Sequence, residues 1–144
     1  MRRIATLSLF VLLPGCALFA PPYDPALEDA VAKGNEHAGK VTVCAELGLC
    51  ATPESFADQQ DNYTTAIASL KAGKVIAEGW EPPRFNATAR RASDLIVEQI
   101  DGCQTSVIEL LTIHREEGLA PGVGLSQPVD IACDLALSSV QLMK

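Results

Sequence analysis

Apolar residues recur at alternating steps of three and four along most of the chain, which is the period of an amphipathic α-helix. No long stretch alternates between apolar and polar residues in the way that a half-buried strand does. Four segments carry the helical period, and short connections separate them. The pattern therefore predicts an all-α fold, an antiparallel four-helix bundle.

The first two helices begin at similar signals. Asp24-Pro25 and Thr52-Pro53 each place a capping residue before a proline at the first helical position. We expect the first helix to end at Gly48 and the second near Gly79, since glycine commonly terminates helices. The predicted buried residues are Leu27, Ala30, Gly34, His37, Val41 and Cys44 in the first helix, and Phe56, Tyr63, Ile67 and Leu70 in the second.

The third segment has the most regular pattern, with apolar steps close to a heptad seam. A glycine-rich turn follows it from Gly118 to Gly124, and the fourth helix should begin between Ser126 and Asp130. The seam residues are Ile96, Ile100, Cys103, Val107, Leu110 and His114 in the third helix, and Val129, Ala132, Cys133, Ala136, Val140 and Met143 in the fourth.

The N-terminal segment differs from the rest of the chain. Arg2 and Arg3 precede a ten-residue, largely apolar run, 4–13, and Pro14-Gly15-Cys16 closes the segment. The apolar run is shorter than the ~20 residues that cross a bilayer as a helix. Over residues 1–17 the chain resembles a bacterial lipoprotein signal, in which the cysteine is diacylated and becomes the mature N-terminus; Pro14 departs from that pattern. Secretion with cleavage after Ala17 and an uncleaved anchor are the alternatives.

The resemblance implies a domain organisation and a location. It divides the chain into a signal peptide (1–15), a lipidated tether (16–23) and a single helical domain (24–144). It implies a lipid-anchored protein of the bacterial cell envelope whose membrane contact is the fatty acid on Cys16. Ala17 stands where an aspartate would resemble an inner-membrane retention signal, which favours the outer membrane, facing the periplasm.

The charge of the mature part argues against polyanionic partners. Without Arg2 and Arg3 the chain keeps nine basic and eighteen acidic residues, a net charge of −9. Such a surface does not attract phosphate backbones or anionic lipid headgroups as a whole. We therefore expect no nucleic-acid partner.

The remaining cysteines predict two disulfides. With Cys16 assigned to the lipid, Cys44, Cys50, Cys103 and Cys133 form an even set in a protein that is exported to an oxidising compartment. Three pairings are open, and the heights of these cysteines on the predicted helices favour Cys44–Cys103 with Cys50–Cys133. Such disulfides would cross-link the helices of the bundle. The alternative is that the four cysteines are buried free thiols.

Catalytic and metal-binding patterns are not found in the sequence. His37 and His114 are the only histidines, and neither follows a glutamate at the Glu-x-x-His spacing of helical metal sites. We interpret both as packed or half-exposed side chains. The cysteine spacing does not fit a zinc site. We expect no metal, no cofactor and no enzymatic activity.

The connection between the second and third helices is the candidate binding surface. It carries the only tryptophan, Trp80, together with Phe85 and three arginines, Arg84, Arg90 and Arg91. Tryptophan and arginine are the residue types most enriched at binding hot spots. The alternative is that Trp80 and Phe85 cap the open end of the bundle while the arginines compensate neighbouring acidic residues.

Three functional hypotheses remain. The leading one is a small non-catalytic envelope lipoprotein that binds or scaffolds another envelope component, such as an envelope protein. The second is a small-ligand or metal carrier that uses the bundle interior. The third is an exported inhibitor or immunity-type protein that blocks an enzyme.

Overall fold

The computed structural model describes residues 22–122 and 124–144, so the expectations for the signal peptide and for Cys16 lie outside the described residues. The described chain forms four α-helices and no β-strand. One turn of 3-10 helix, Pro53–Ser55, precedes the second helix. The helices are α1 (Pro25–Glu46), α2 (Phe56–Glu78), α3 (Ala87–Glu117) and α4 (Gln127–Gln141).

The four helices form an antiparallel bundle. Each helix packs against the next one in the chain, and α4 closes the ring by packing against α1. The centre of the core is aliphatic, with fully buried residues from every helix, among them Val31, Leu70, Ile100 and Val140. The short connections leave antiparallel neighbours as the arrangement that buries all four apolar faces. The predicted all-α bundle is confirmed.

The helix starts follow the predicted capping pattern at α1. The Asp24 carboxylate accepts a hydrogen bond from the amide of Ala26 at 2.8 Å, and Pro25 occupies the first helical position. At α2 the signal Thr52-Pro53 starts the 3-10 turn instead, and the α-helix begins three residues later, at Phe56.

Burial confirms the seam predicted for α3, where all six residues are buried. In α1 four of the six predicted residues are buried, namely Leu27, Gly34, Val41 and Cys44, and the buried face extends beyond the predicted stripe. Ala30 and His37 are half-buried, whereas Val31 and Ala38 are buried. Because α1 packs against both α2 and α4, its buried face is wider than one stripe and centred between the two contacts.

The backbones of α1 and α2 approach closely at two glycines. A Cβ atom added to Gly34 would lie 2.6 Å from Cγ of Leu70, and one added to Gly73 would lie 3.1 Å from Cγ2 of Val31. Gly39 in α1, by contrast, faces open space, with nothing within 4 Å of an added Cβ. Gly34 and Gly73 thus set the distance between the two helices.

One disulfide closes the end of α1, where Cys44 pairs with Cys50 across a Cα–Cα distance of 5.4 Å. Gly48 adopts a φ of 71°, a left-handed conformation that glycine reaches without steric cost. The amide of Gly48 donates to the carbonyl of Ala45, and the amide of Leu49 donates to the carbonyl of Cys44. These two bonds form a Schellman turn, which reverses the chain and brings Cys50 back over Cys44.

The second disulfide joins α3 to α4 through Cys103 and Cys133, with a Cα–Cα distance of 4.6 Å. Cys103 lies fourteen residues before the end of α3, whereas Cys133 lies six residues after the start of α4. The two cysteines pair because α4 begins about 12 Å below the end of α3, at 1.5 Å per residue. The predicted pairing of Cys44 with Cys103 and of Cys50 with Cys133 is wrong, since it assumed helices with level ends.

Candidate functional site

The candidate surface lies on the connection between α2 and α3 and on the first turns of α3. We call it the Trp–Arg surface; its residues are Trp80, Arg84, Phe85, Arg90 and Arg91. The structure places all five on one continuous segment at one end of the bundle. This is the end where the described chain begins, because Pro22 and Trp80 line the same cavity.

Local hydrogen bonds hold this connection in place. The amide of Asn86 donates to the carbonyl of Pro83 at 2.9 Å, and the Asn86 side chain caps α3 by accepting from the amide of Ala89 at 3.0 Å. The guanidinium of Arg90 donates to the carbonyl of Arg84 at 3.0 Å. Pro82 and Pro83 also restrict φ in this segment. The connection is therefore ordered before any partner binds.

The two aromatic side chains of the surface differ in burial. Trp80 is half-buried against the bundle end, as the capping alternative expects for it. Phe85 is fully exposed, with a relative exposure of 101%, and so it does not cap the bundle. Phe85 therefore has no role in the core, and it is the most exposed large apolar side chain of the described chain, which makes it a candidate for contact with another molecule.

The three arginines are exposed and project from the same segment. Within residues 22–122 and 124–144, none of them forms an ion pair with a carboxylate. Arg90 and Arg91 lie in the first turns of α3, where the positive end of the helix dipole disfavours cations. Arg90 nevertheless shares a groove with Glu78, Asp94 and Glu98, so acidic residues lie near it without forming an ion pair, whereas residues 79–91 by themselves carry a net positive charge.

A cavity of about 300 Å³ lies beside Trp80, between the ends of the helices. Its wall is largely apolar, with Leu27 from α1, Ile76 from α2 and Ile96 from α3. Met143, just after α4, closes one side. The sequence pattern did not reveal this cavity, because its lining comes from the ends of all four helices, which are far apart in the sequence.

At the opposite end, a polar cluster joins the half-buried Ser55 to the buried side chains of Tyr63 and His114. Nε2 of His114 lies 3.0 Å from the Ser55 hydroxyl, and Nδ1 lies 3.2 Å from the Tyr63 hydroxyl. Phe56 packs against His114 edge to face, at 5.7 Å between ring centroids. Sequence reasoning placed Tyr63 and His114 on buried faces but did not bring them together with Ser55.

The cluster is a structural network and not a nucleophile–base pair. The Ser55 hydroxyl donates its proton to the carbonyl of Thr52, so it accepts from Nε2 of His114. A neutral imidazole with its proton on Nε2 then accepts at Nδ1 from the Tyr63 hydroxyl, which also lies 3.4 Å from the carbonyl oxygen of Leu110. Burial lowers the pKa of His114, which keeps the imidazole neutral, and raises the pKa of Tyr63. His114 is wholly inaccessible to solvent, and a substrate could not reach it.

Other histidine, cysteine and carboxylate side chains occur across residues 22–122 and 124–144. No group of three or more histidine, cysteine or carboxylate side chains there is close enough to hold a metal ion. No described helix combines the length and the apolar character that a bilayer-spanning segment needs. His37 is half-buried, and its Nδ1 lies 2.9 Å from the side-chain oxygen of Asn62.

Comparison with known proteins adds no relative from which a function could be transferred. No protein-family model matches the chain, and no curated protein or solved structure matches it either.

Proposed function

We propose that this chain is a small, non-catalytic lipoprotein of the bacterial cell envelope that binds or scaffolds another envelope component. Its anchor is the fatty acid on Cys16, in the outer membrane and facing the periplasm. The lipoprotein-like segment over residues 1–17 supports the anchor. The two disulfides are consistent with an oxidising compartment.

One observation carries the binding role: Phe85 is fully exposed on an ordered loop beside three arginines that have no ion pair within the described chain. An ordered loop loses little conformational entropy when it binds, which favours affinity. Arginine can donate two parallel hydrogen bonds to a carboxylate or a phosphate, so the surface suits a partner that combines an apolar group with an anionic one.

Capture from an envelope fraction tests this role. The immobilised protein should retain the same envelope component in repeated preparations, and the double variant Arg84→Ala with Phe85→Ala should retain much less of it. Loss of about 2 kcal/mol at a hot spot corresponds to a binding constant about thirtyfold weaker. Both retained protein and retained phospholipid are quantified.

A matched control uses Lys71→Ala with Leu49→Ala. These residues are also one exposed cation and one exposed apolar side chain, but they lie outside the Trp–Arg surface. The control variant should retain as much as the wild type. Equal retention by the control and by the Arg84–Phe85 variant would contradict the assigned surface.

The carrier hypothesis is the second candidate, and the cavity beside Trp80 favours it. Its volume of about 300 Å³ is at the lower end of the range for small-molecule sites. Native mass spectrometry of the protein purified from its native host should then show a bound apolar molecule. A mass that equals the lipidated chain alone would remove this candidate.

A further inference from the structure

The route of the chain places the Trp–Arg surface close to the proposed anchor. Pro22 and Trp80 line the same cavity, so the segment that leads back to Cys16 leaves the bundle at the end that carries this surface. Six residue steps separate Cys16 from Pro22. A chain of that length reaches at most about 22 Å, which keeps this end of the bundle near the bilayer.

The exposed side chains at this end have the character of a membrane interface. Phe85 is fully exposed, Leu142 is 87% exposed, and Tyr23, near the start of the described chain, is 40% exposed. Leu142 directly follows α4 and precedes Met143, which lines the cavity. Tryptophan and tyrosine rings sit favourably at the level of lipid headgroups, and phenylalanine and leucine side chains insert at the boundary between headgroups and acyl chains.

The charge distribution selects the same orientation. Residues 79–91 hold three arginines and a single carboxylate, Glu81, although Glu78 and Asp94 flank this range and line a groove with Arg90. The acidic remainder is repelled by an anionic leaflet, whereas the arginines are attracted to lipid phosphates. The overall net charge of the chain therefore does not describe this end of the bundle.

We propose that the component bound by the Trp–Arg surface is the phospholipid leaflet that holds the anchor. Phe85 enters the headgroup region, and Arg84, Arg90 and Arg91 donate hydrogen bonds to lipid phosphates. The acyl group on Cys16 supplies the attachment, and the surface fixes the orientation, so that the disulfide-closed end with Cys44 points away from the membrane. This inference rests on the proposed function, since it names the partner of that same surface.

The single tryptophan of the chain makes the inference testable without a label. The full lipidated protein is reconstituted into vesicles of phosphatidylethanolamine and phosphatidylglycerol, with and without brominated acyl chains. Bromine quenches tryptophan only at short range. The emission of Trp80 should lose most of its intensity in the brominated vesicles, and high salt should restore part of it because it screens exposed charges.

Substitution of the arginines provides the decisive comparison. The variant Arg84→Gln, Arg90→Gln, Arg91→Gln should lose most of the quenching. Each arginine near an anionic surface raises the equilibrium constant for contact with that surface about fivefold. The control Lys33→Gln, Lys40→Gln, Lys71→Gln removes the same charge from the exposed sides of α1 and α2 and should be quenched like the wild type. Circular dichroism checks that both variants remain helical.

Flotation with the vesicles separates this inference from the proposed function. Wild-type protein that floats without quenching keeps its anchor and overturns the lipid contact. Equal quenching of the arginine variant and the wild type would overturn it as well. Wild-type protein that does not float contradicts the anchor at Cys16. Brominated vesicles are then added to the protein in solution, and quenching of Trp80 fluorescence still tests the lipid contact. Capture of a protein by the same surface without quenching would assign the surface to a protein partner instead.

Discussion

Nδ1 of His114 lies 3.2 Å from the hydroxyl oxygen of Tyr63, with both side chains buried in the core. The imidazole bonds on its other side to Ser55, so one hydrogen-bonded network connects the start of α2 with the end of α3. All buried side-chain nitrogen and oxygen atoms among the described residues have a hydrogen-bond partner. Removal of one member should therefore leave another one unpaired in the core.

Tyr63→Phe should destabilise the bundle. The substitution keeps the ring but removes the hydroxyl that donates to His114, and an unpaired buried acceptor costs about 1–3 kcal/mol. Urea unfolding measures the loss. Tyr23→Phe is the matched control, because the Tyr23 hydroxyl bonds to Glu28 at the surface, and its removal should change the free energy of unfolding by less than about 0.5 kcal/mol. Equal losses in the two variants would contradict the buried network.

Stability should fall as the pH decreases through the range in which histidine titrates. Burial holds the pKa of His114 below its ordinary value of 6.5, so the unfolded chain binds a proton at a higher pH than the folded chain does. The contribution of the neutral His114 to the free energy of unfolding is fully present above pH 6.5 and decreases as the pH falls below that value. Below the pKa of the folded state, where both states are protonated, it no longer changes. Urea unfolding between about pH 7.5 and about pH 5.5 measures this slope.

His114→Gln should be less stable at neutral pH and should lack that slope, whereas His37→Gln should keep it. His37 is the suitable control because it is half-buried and lies outside the network. A slope that survives in His114→Gln would show that another group causes it.

The two disulfides should contribute unequally to stability. Cys103 and Cys133 are separated by 30 residues, and Cys44 and Cys50 by 6. Loop-closure entropy in the unfolded chain then gives about 3.5 kcal/mol for the longer loop and about 2 kcal/mol for the shorter one. Denaturant unfolding of Cys103→Ser/Cys133→Ser and of Cys44→Ser/Cys50→Ser measures the two losses. Non-reduced peptide mapping that recovered a Cys44–Cys103 peptide would contradict the pairing.

Most of the fold follows from the sequence, and the disulfide pairing shows why part of it does not. Periodicity and capping residues are local, so they predicted four helices and the complete seam of α3. Pairing depends on how far helix ends project past one another, which is a tertiary property. The reversal at Gly48 could have been derived from the sequence, because a glycine two residues before Cys50 permits a Schellman turn.

Alanine substitution should have opposite effects at two glycines of α1. Gly34→Ala should cost about 1–3 kcal/mol, because its methyl group would overlap Leu70 and overpack the contact between α1 and α2. Gly39→Ala meets open space and should stabilise the protein by up to about 1 kcal/mol through helix propensity. Thermal unfolding of both variants measures the difference. Stabilisation by Gly34→Ala would contradict the close approach of the two helices.

The candidate surface was only partly predictable. Composition alone singled out Trp80, Phe85 and the arginines, because these residue types are concentrated in one connection of an otherwise acidic chain. Exposure could not be derived in this way: Trp80 is half-buried, whereas Phe85 is fully exposed. The proximity of Pro22 to Trp80 also depends on which helix ends meet, and it underlies the proposed orientation on the membrane.

Lipid on Cys16 is the central claim, because both the location and the orientation depend on it. Cells that express the wild type and Cys16→Ser are grown with an alkyne fatty acid, and the purified proteins are reacted with an azide dye. We predict that the dye marks the wild type and leaves Cys16→Ser unmarked at equal protein amounts. An unmarked wild type, or a marked Cys16→Ser variant, would contradict the account.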